Sequence, residues 1–293
     1  MGPIHAQRLG EKLGQLTAQT EIDQGERFAF GSNWSEFLKV LDDDRIAEAE
    51  KSLRRFLGVE DLKDQSFLDI GCGSGLFSLA AYRLGARVHS FDFDGNSVNC
   101  ARELKRRYCD DNGAWTIEQG SALDRSYIES LGRFDVCYSW GVLHHTNELW
   151  RAIFNAQLAV QHGGQLFIAI YNDEGVVSAI WEVVKRTYCR GPIGRALMTG
   201  IFYPLFFLAG LAIDTVKLRN PARRYREHRK YRGMSLTHDW KDWLGGLPYE
   251  RARPERISGY LANLGFELEK LERPDFGFGN NQFVFRKSSS IGE

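Results

Sequence analysis

The chain has 293 residues, enough for one large domain or a standard domain carrying a substantial insertion. With 43% hydrophobic and 26% charged residues it reads as an ordinary globular protein, which excludes a disordered or fibrous chain. Lys plus Arg equals Asp plus Glu, 38 against 38, so no global field draws nucleic acid and only a local patch remains open to it.

Met1 to Glu11 lacks a basic segment followed by an apolar run, so no signal peptide is expected. Residues 1–30 are polar, and then Phe28, Phe30, Trp34 and Phe37 fall close together. From Asp44 to Leu57 the apolar residues Ile46, Ala49, Leu53, Phe56 and Leu57 recur three or four apart, which predicts an amphipathic helix ended by Gly58 in a left-handed cap. Short apolar runs then alternate with helical stretches: 67–70, 87–92, 114–118, 134–139 and 165–170. That rhythm predicts βαβ units and a parallel sheet with helices on both faces, Gly71 to Leu84 and Gly95 to Tyr108 being two of the crossovers.

After Ile170 the pattern breaks until about residue 260, too long for one connection, and sheet-like runs return at 266–271 and 282–285. The expected fold class is α/β, a Rossmann-like sheet with a helical insertion before its last two strands. The corresponding divisions are an N-terminal helical lid segment (1–58), a cofactor-binding core (59–172), a helical insertion capping an acceptor (173–258) and C-terminal strands (259–293). The five cysteines, Cys72, Cys100, Cys109, Cys137 and Cys189, are odd in number and show no C-x-x-C pairing, so reduced thiols in a cytoplasmic protein are expected.

Chemistry concentrates first at Leu68-Asp69-Ile70-Gly71-Cys72-Gly73-Ser74-Gly75, a loop between strand and helix where glycines let backbone approach a ligand closely. A nicotinamide site would want glycines at 71, 73 and 76, but position 76 is Leu and the third glycine comes at Gly75. The second strand ends in Phe91-Asp92-Phe93-Asp94, seventeen residues beyond Gly75, where a carboxylate suits a ribose diol. Asp92 and Asp94 read equally as turn and cap residues, and Asp124 as a helix cap. Two further elements follow, Glu118 to Asp124 and Phe134 to His145.

Together these four elements resemble the class I S-adenosylmethionine-dependent methyltransferase family, and in general pattern its ubiquinone-pathway O-methyltransferases. The resemblance covers about 55–175. It implies a seven-stranded sheet, S-adenosylmethionine as cofactor with S-adenosylhomocysteine as product, and cofactor contacts at Asp69, Gly71, Cys72, Gly73, Gly75, Asp92, Phe93, Ser121, Ala122, Ser139 and Trp140. Many family members carry an acidic residue where this chain has Ser121.

An oxygen nucleophile needs a base, and histidine titrates in the right range. His144 and His145 follow the fourth strand at the ligand-binding end of such sheets, although either would also serve as a cap. His238 and Asp239, within Ser235 to Trp243, form a second candidate pair, while Trp240 and Trp243 fit an acceptor pocket or an amphipathic helix core. Tyr171 and Asn172 lie past the fifth strand, and Phe28, Phe30 and Trp34 fit a lid over the cofactor. No ligand spacing supports a metal.

Residues 196–213 hold no charge, and Lys217 to Arg232 holds eight basic residues against one acidic residue. This pairing is consistent with a buried helix, a homodimer contact or a peripheral membrane contact through 196–232, the short apolar length and Pro204 arguing against a span. The expected function is O-methylation of a small-molecule hydroxyl on a phenol, quinol or sugar. The open alternatives are a membrane-associated enzyme for a lipid-like quinone precursor, a tRNA-modifying methyltransferase, which the charge balance disfavours, and a non-catalytic cofactor-binding subunit.

Overall fold

A computed structural model describes residues 20–110, 113–216, 220, 236–274 and 279–289. Its sheet has seven strands in the order β3-β2-β1-β4-β5-β7-β6. They are β1 (Ser66–Ile70), β2 (Arg87–Asp92), β3 (Trp115–Gln119), β4 (Phe134–Trp140), β5 (Val160–Tyr171), β6 (Phe266–Glu272) and β7 (Asn280–Lys287). The first five run parallel, and β7 enters antiparallel between β5 and β6.

The central strands are apolar on both faces because helices cover both. Along β4, Val136 and Tyr138 join one core cluster while Cys137 joins the other, the two-residue alternation of a pleated strand. Likewise Phe167 faces one layer, and Leu166 and Ile168 face its opposite. The first layer is completed by α2 (Asp43–Leu57), α3 (Leu76–Arg83) and α4 (Gly95–Tyr108). The second contains α5 (Arg125–Ser130), α6 (Leu149–Leu158) and α10 (Pro254–Ala262).

Helix boundaries follow local chemistry. The Asp42 carboxylate accepts from Arg45 N–H at the start of α2, and Gly58 closes that helix at φ 70°. Asp94 and Asp124 cap α4 and α5, so the capping reading of both holds. The expected helix from Gly71 begins only at Leu76, because Gly71, Gly73 and Gly75 adopt φ of +77°, +54° and +82° and no helix can run through them. Strand β5 starts at Val160, five residues earlier than its apolar run, extended through Gly163 and Gly164.

Between β5 and β6 lie α7 (Val176–Cys189), α8 (Pro192–Val216) and α9 (Leu236–Gly245), followed by α10. Val184, Tyr188 and Leu244 give the first three a small core of their own, which Phe28 of the N-terminal segment joins. The apolar segment is therefore not a buried core helix: in α8 only Gly210 and Asp214 are buried. The helix is long and apolar enough to cross a membrane by length and composition. The basic run Lys217 to Arg232, Asn220 apart, lies outside the described residues.

Candidate functional site

The glycine loop leaves β1 at its carboxyl end, where Gly71 N–H and Cys72 N–H both donate to Phe91 O at 2.8 and 3.0 Å. These bonds tie the loop to the end of β2 and so to Asp92. The Asp92 carboxylate accepts from Gly73 N–H and Asp94 N–H, both at 2.9 Å. Burial pushes its carboxyl up to about 6, against those two bonds, which pull it down. Each oxygen uses one acceptor site on backbone and keeps another for a ligand hydroxyl.

A Cβ on Gly71 would fall 2.3 Å from Val142 Cγ1, and one on Gly73 would fall 2.9 Å from Trp34 Nε1. The loop thus tolerates no Cβ at these two positions, because Val142 and Trp34 pack directly against its backbone. A carboxylate acceptor beside a glycine loop at the carboxyl edge of a parallel sheet fits a ribose-bearing cofactor with an extended polar tail. Trp34 lies on α1 (Phe30–Leu38), which is anchored on α4 by Gly31 N–H donating to Asp94 Oδ2 at 3.0 Å. The N-terminal segment therefore reaches the loop, whereas α2 packs into the sheet core.

Other expected cofactor residues have different surroundings. Asp69 is buried and its Oδ2 accepts from Ser78 Oγ at 2.6 Å, with burial pushing its carboxyl up to about 7. Ser139 Oγ donates to Ile70 O at 2.9 Å, a tie between β4 and β1 with no exposed surface. Ser121 Oγ accepts from Leu123 N–H at 3.2 Å, and Ala122 O accepts from Asn155 Nδ2 at 2.8 Å. Trp140 Nε1 donates to Gln282 Oε1 at 2.9 Å, and the Arg27 guanidinium lies 5.4 Å from the Phe93 ring centre.

Beyond β4 and β5 an aromatic chain assembles residues from four segments. Phe28 packs on Phe30, Phe30 on His145, and His145 on Tyr171, with centroids 4.9, 4.9 and 5.5 Å apart. Tyr171 continues to Tyr249 at 5.1 Å and Trp243 at 6.1 Å. Asn172 instead turns to Glu174 and Asn281, and Trp240 packs against Tyr203 and Phe206 of α8. His238 and Asp239 lie on the backbone of α9, their side chains outside the described residues.

The two adjacent histidines differ. His144 has no exposed surface, and its Nδ1 accepts from Tyr171 N–H at 3.3 Å, which leaves the proton on an Nε2 that has no hydrogen-bond partner among the described residues. The His145 Nδ1 faces Pro248 O, which can only accept, so Nδ1 carries the hydrogen and Nε2 the lone pair. Burial, reinforced by the nearby Lys185 and Arg27 cations, drives His145 down to about 3, and burial takes His144 well below its ordinary value. Both rings are neutral at pH 7.

Sequence reasoning missed Lys185. It is 1% exposed; its ammonium donates to Trp243 O at 2.6 Å and lies 5.2 and 5.1 Å from the ring centres of Tyr171 and Tyr249. A signal existed: Trp181, Val184, Lys185 and Tyr188 recur at helical spacing, placing a lysine on the apolar stripe of α7. Arg27, whose Nη1 donates to His145 O at 3.2 Å, carried no comparable signal.

Residues 68–168 match the family described as a methyltransferase domain. The ubiquinone biosynthesis O-methyltransferase of Methylobacterium nodulans is 31% identical over 174 residues, 56% of this chain and 68% of that protein. The enzyme of the same name from Methylobacterium sp. strain 4-46 is 29% identical over 116 residues, 40% of this chain and 45% of that one. A ribosomal protein L11 methyltransferase of Helicobacter hepaticus is 36% identical over 82 residues, 28% of this chain and 25% of that one. The chain thus spans less than half the length of two of these three relatives. In fold it is similar to the magnesium protoporphyrin IX methyltransferase of Synechocystis PCC 6803 solved with S-adenosylmethionine, with TM-score 0.51 and 12% identity over 95% of this chain and 97% of that one.

Proposed function

Because the chain belongs to the class I S-adenosylmethionine-dependent methyltransferases, we propose that it methylates a hydroxyl oxygen on an aromatic small molecule, a phenol or quinol. The observation that carries the reading is the hydrogen bond from His145 Nδ1 to Pro248 O, which fixes the tautomer and leaves the Nε2 lone pair to accept a proton, while burial keeps the ring neutral. The names of the two Methylobacterium relatives lend support from outside the chain.

Gly71, Gly73, Gly75 and Asp92 would hold the cofactor, the glycines by close backbone approach and Asp92 by accepting from hydroxyls. The cofactor supplies an electrophilic methyl group. The protein's own task is to align the acceptor and to remove its proton. Phe30, Tyr171, Trp243 and Tyr249 offer ring faces and edges to an aromatic acceptor. Arg27 and Lys185 disfavour an imidazolium at His145, and for the same electrostatic reason they favour a developing oxyanion beside it. The acceptor proton passes to His145 Nε2 as charge builds on oxygen, and the imidazolium then forms next to that charge.

Incubating the purified protein with S-adenosylmethionine and a series of phenols and quinols tests the reading. Release of S-adenosylhomocysteine that depends on the hydroxyl, and vanishes in Asp92→Ala, is the expected result. Release with amines alone would refute oxygen as the target.

A further inference from the structure

Among the described residues thirteen large hydrophobic side chains are exposed, and eleven of them stand on α7 and α8. On α8 five of its seven exposed large hydrophobic residues recur every three or four positions, at Ile193, Leu197, Ile201, Leu205 and Leu208. The opposite face, Met198, Phe202 and Phe206, packs against the protein, with Trp181 5.2 Å from Phe202 and Trp240 5.6 Å from Phe206. The helix is therefore apolar all round, yet the protein covers one side of it. A helix of that kind is ordinarily buried throughout or in contact with lipid. On α7 the outward residues Val176, Ile180 and Val183 are also exposed, 58% in the case of Ile180.

Charge decides between occupants. Before α8 come Arg186 and Arg190, and Arg195 lies in its first turn; after it come Lys217, Arg219, Arg223 and Arg224. Of the acidic groups on the two helices, Glu182 is paired with Arg186 and Arg251, and Asp214 is buried. In sequence the helix is basic on both sides, a pattern that disfavours a second copy packed parallel or antiparallel on this face. Anionic headgroups complement such a pattern.

We propose that the outer faces of α7 and α8 form a docking surface for a bilayer containing anionic lipid, with α8 lying along the interface. At 25 residues α8 is about 37 Å long, enough to span, but the inner side is occupied by Trp181 and Trp240, and spanning would drag the Glu182, Lys185 and Arg186 face of α7 into hydrocarbon. In the interfacial arrangement the lipid-facing residues of α7 lie one helix diameter, about 10 Å, from Lys185 and the aromatic chain. The docking surface does not depend on which atom is methylated.

The full chain should co-float with vesicles of phosphatidylcholine plus phosphatidylglycerol and bind phosphatidylcholine alone at least about tenfold more weakly, the difference shrinking as salt rises. Leu197→Glu/Ile201→Glu/Leu205→Glu alters exposed positions only and should abolish flotation while leaving the thermal unfolding midpoint in place. Flotation unchanged in that variant, or no flotation of the parent chain with either vesicle, overturns the proposal. A dimer in lipid-free sedimentation that the same variant converts to monomer would assign the face to a second copy instead. Resistance to alkaline carbonate extraction would assign α8 to a span, and either result also overturns it. Should the variant unfold, the lipid and salt dependence of the parent chain still decides.

Discussion

His145 Nδ1 and the Pro248 carbonyl oxygen lie within hydrogen-bonding distance although 103 residues separate them in the chain. A single bond between the loop after β4 and the end of the insertion thereby sets the tautomer of the ring to which the proposed function gives the acceptor's proton. Under that proposal His144, whose Nδ1 accepts from Tyr171 N–H, does not share the role.

His145→Gln preserves a donor toward Pro248 but removes the proton acceptor. Turnover with a hydroxyl acceptor should fall by about 10²–10⁴, the usual worth of a general base, while calorimetric affinity for S-adenosylmethionine stays within error. With S-adenosylmethionine saturating, so that the titration of Asp92 at about 6 does not enter, the rate of the parent enzyme should show no acid limb near pH 6.5, because His145 remains neutral until the pH approaches 3. An acid limb centred between pH 6 and 7 under those conditions would contradict the neutral state of His145.

At Gly73 an added Cβ meets Trp34 and adopts a left-handed backbone at a cost of about 1–2 kcal/mol. Gly73→Ala should therefore weaken S-adenosylmethionine binding at least tenfold in calorimetry. Cofactor binding should also change the fluorescence of Trp34, a change that Trp34→Phe removes. Undiminished affinity in Gly73→Ala would place the cofactor elsewhere.

Asp69 and Asp92 titrate higher in the folded chain than the ordinary carboxylate value of 3.8, chiefly through burial. Below about pH 4 both are protonated folded or unfolded, and their contribution is intact. As pH rises through about 6 and then about 7, the folded chain must release protons that the unfolded chain has already lost. Stability without cofactor should thus decline from pH 4 toward pH 8 through these groups, and Asp69→Asn should flatten part of that decline in urea titrations at several pH values. An unaltered slope in Asp69→Asn would mean that the carboxyl is ionised throughout.

Lys185→Met leaves the Trp243 carbonyl without its charged donor in a buried place, a loss of about 1–3 kcal/mol. It also removes a cation that holds His144 and His145 down. Urea unfolding should report the first effect. Histidine proton resonances followed against pH should show both rings titrating higher, a readout that a purely packing role would not move.

The glycine loop, Asp92 and the strand-helix rhythm were legible in the sequence because each is local. Left-handed backbone, a carboxylate at a strand end and two-residue alternation are properties of a few consecutive residues. Ser139 reads as a cofactor contact because its position in the motif is local too, whereas the bond its hydroxyl donates across strands to Ile70 O is visible only in the fold. Lys185, Pro248, Tyr249 and Arg27 matter only through neighbours far away in the chain, and no window of sequence carries that information. For 196–213 the composition announced an apolar helix, but whether such a helix is covered depends on what packs on it, and only the fold shows α8 bare on one side.

The most direct test of oxygen methylation uses S-adenosylmethionine carrying carbon-13 in its methyl group, incubated with the protein and its best acceptor. The transferred carbon should resonate as an aryl methyl ether, and its appearance should depend on His145. A resonance in the N-methyl or C-methyl range, formed equally by His145→Gln, would contradict the account.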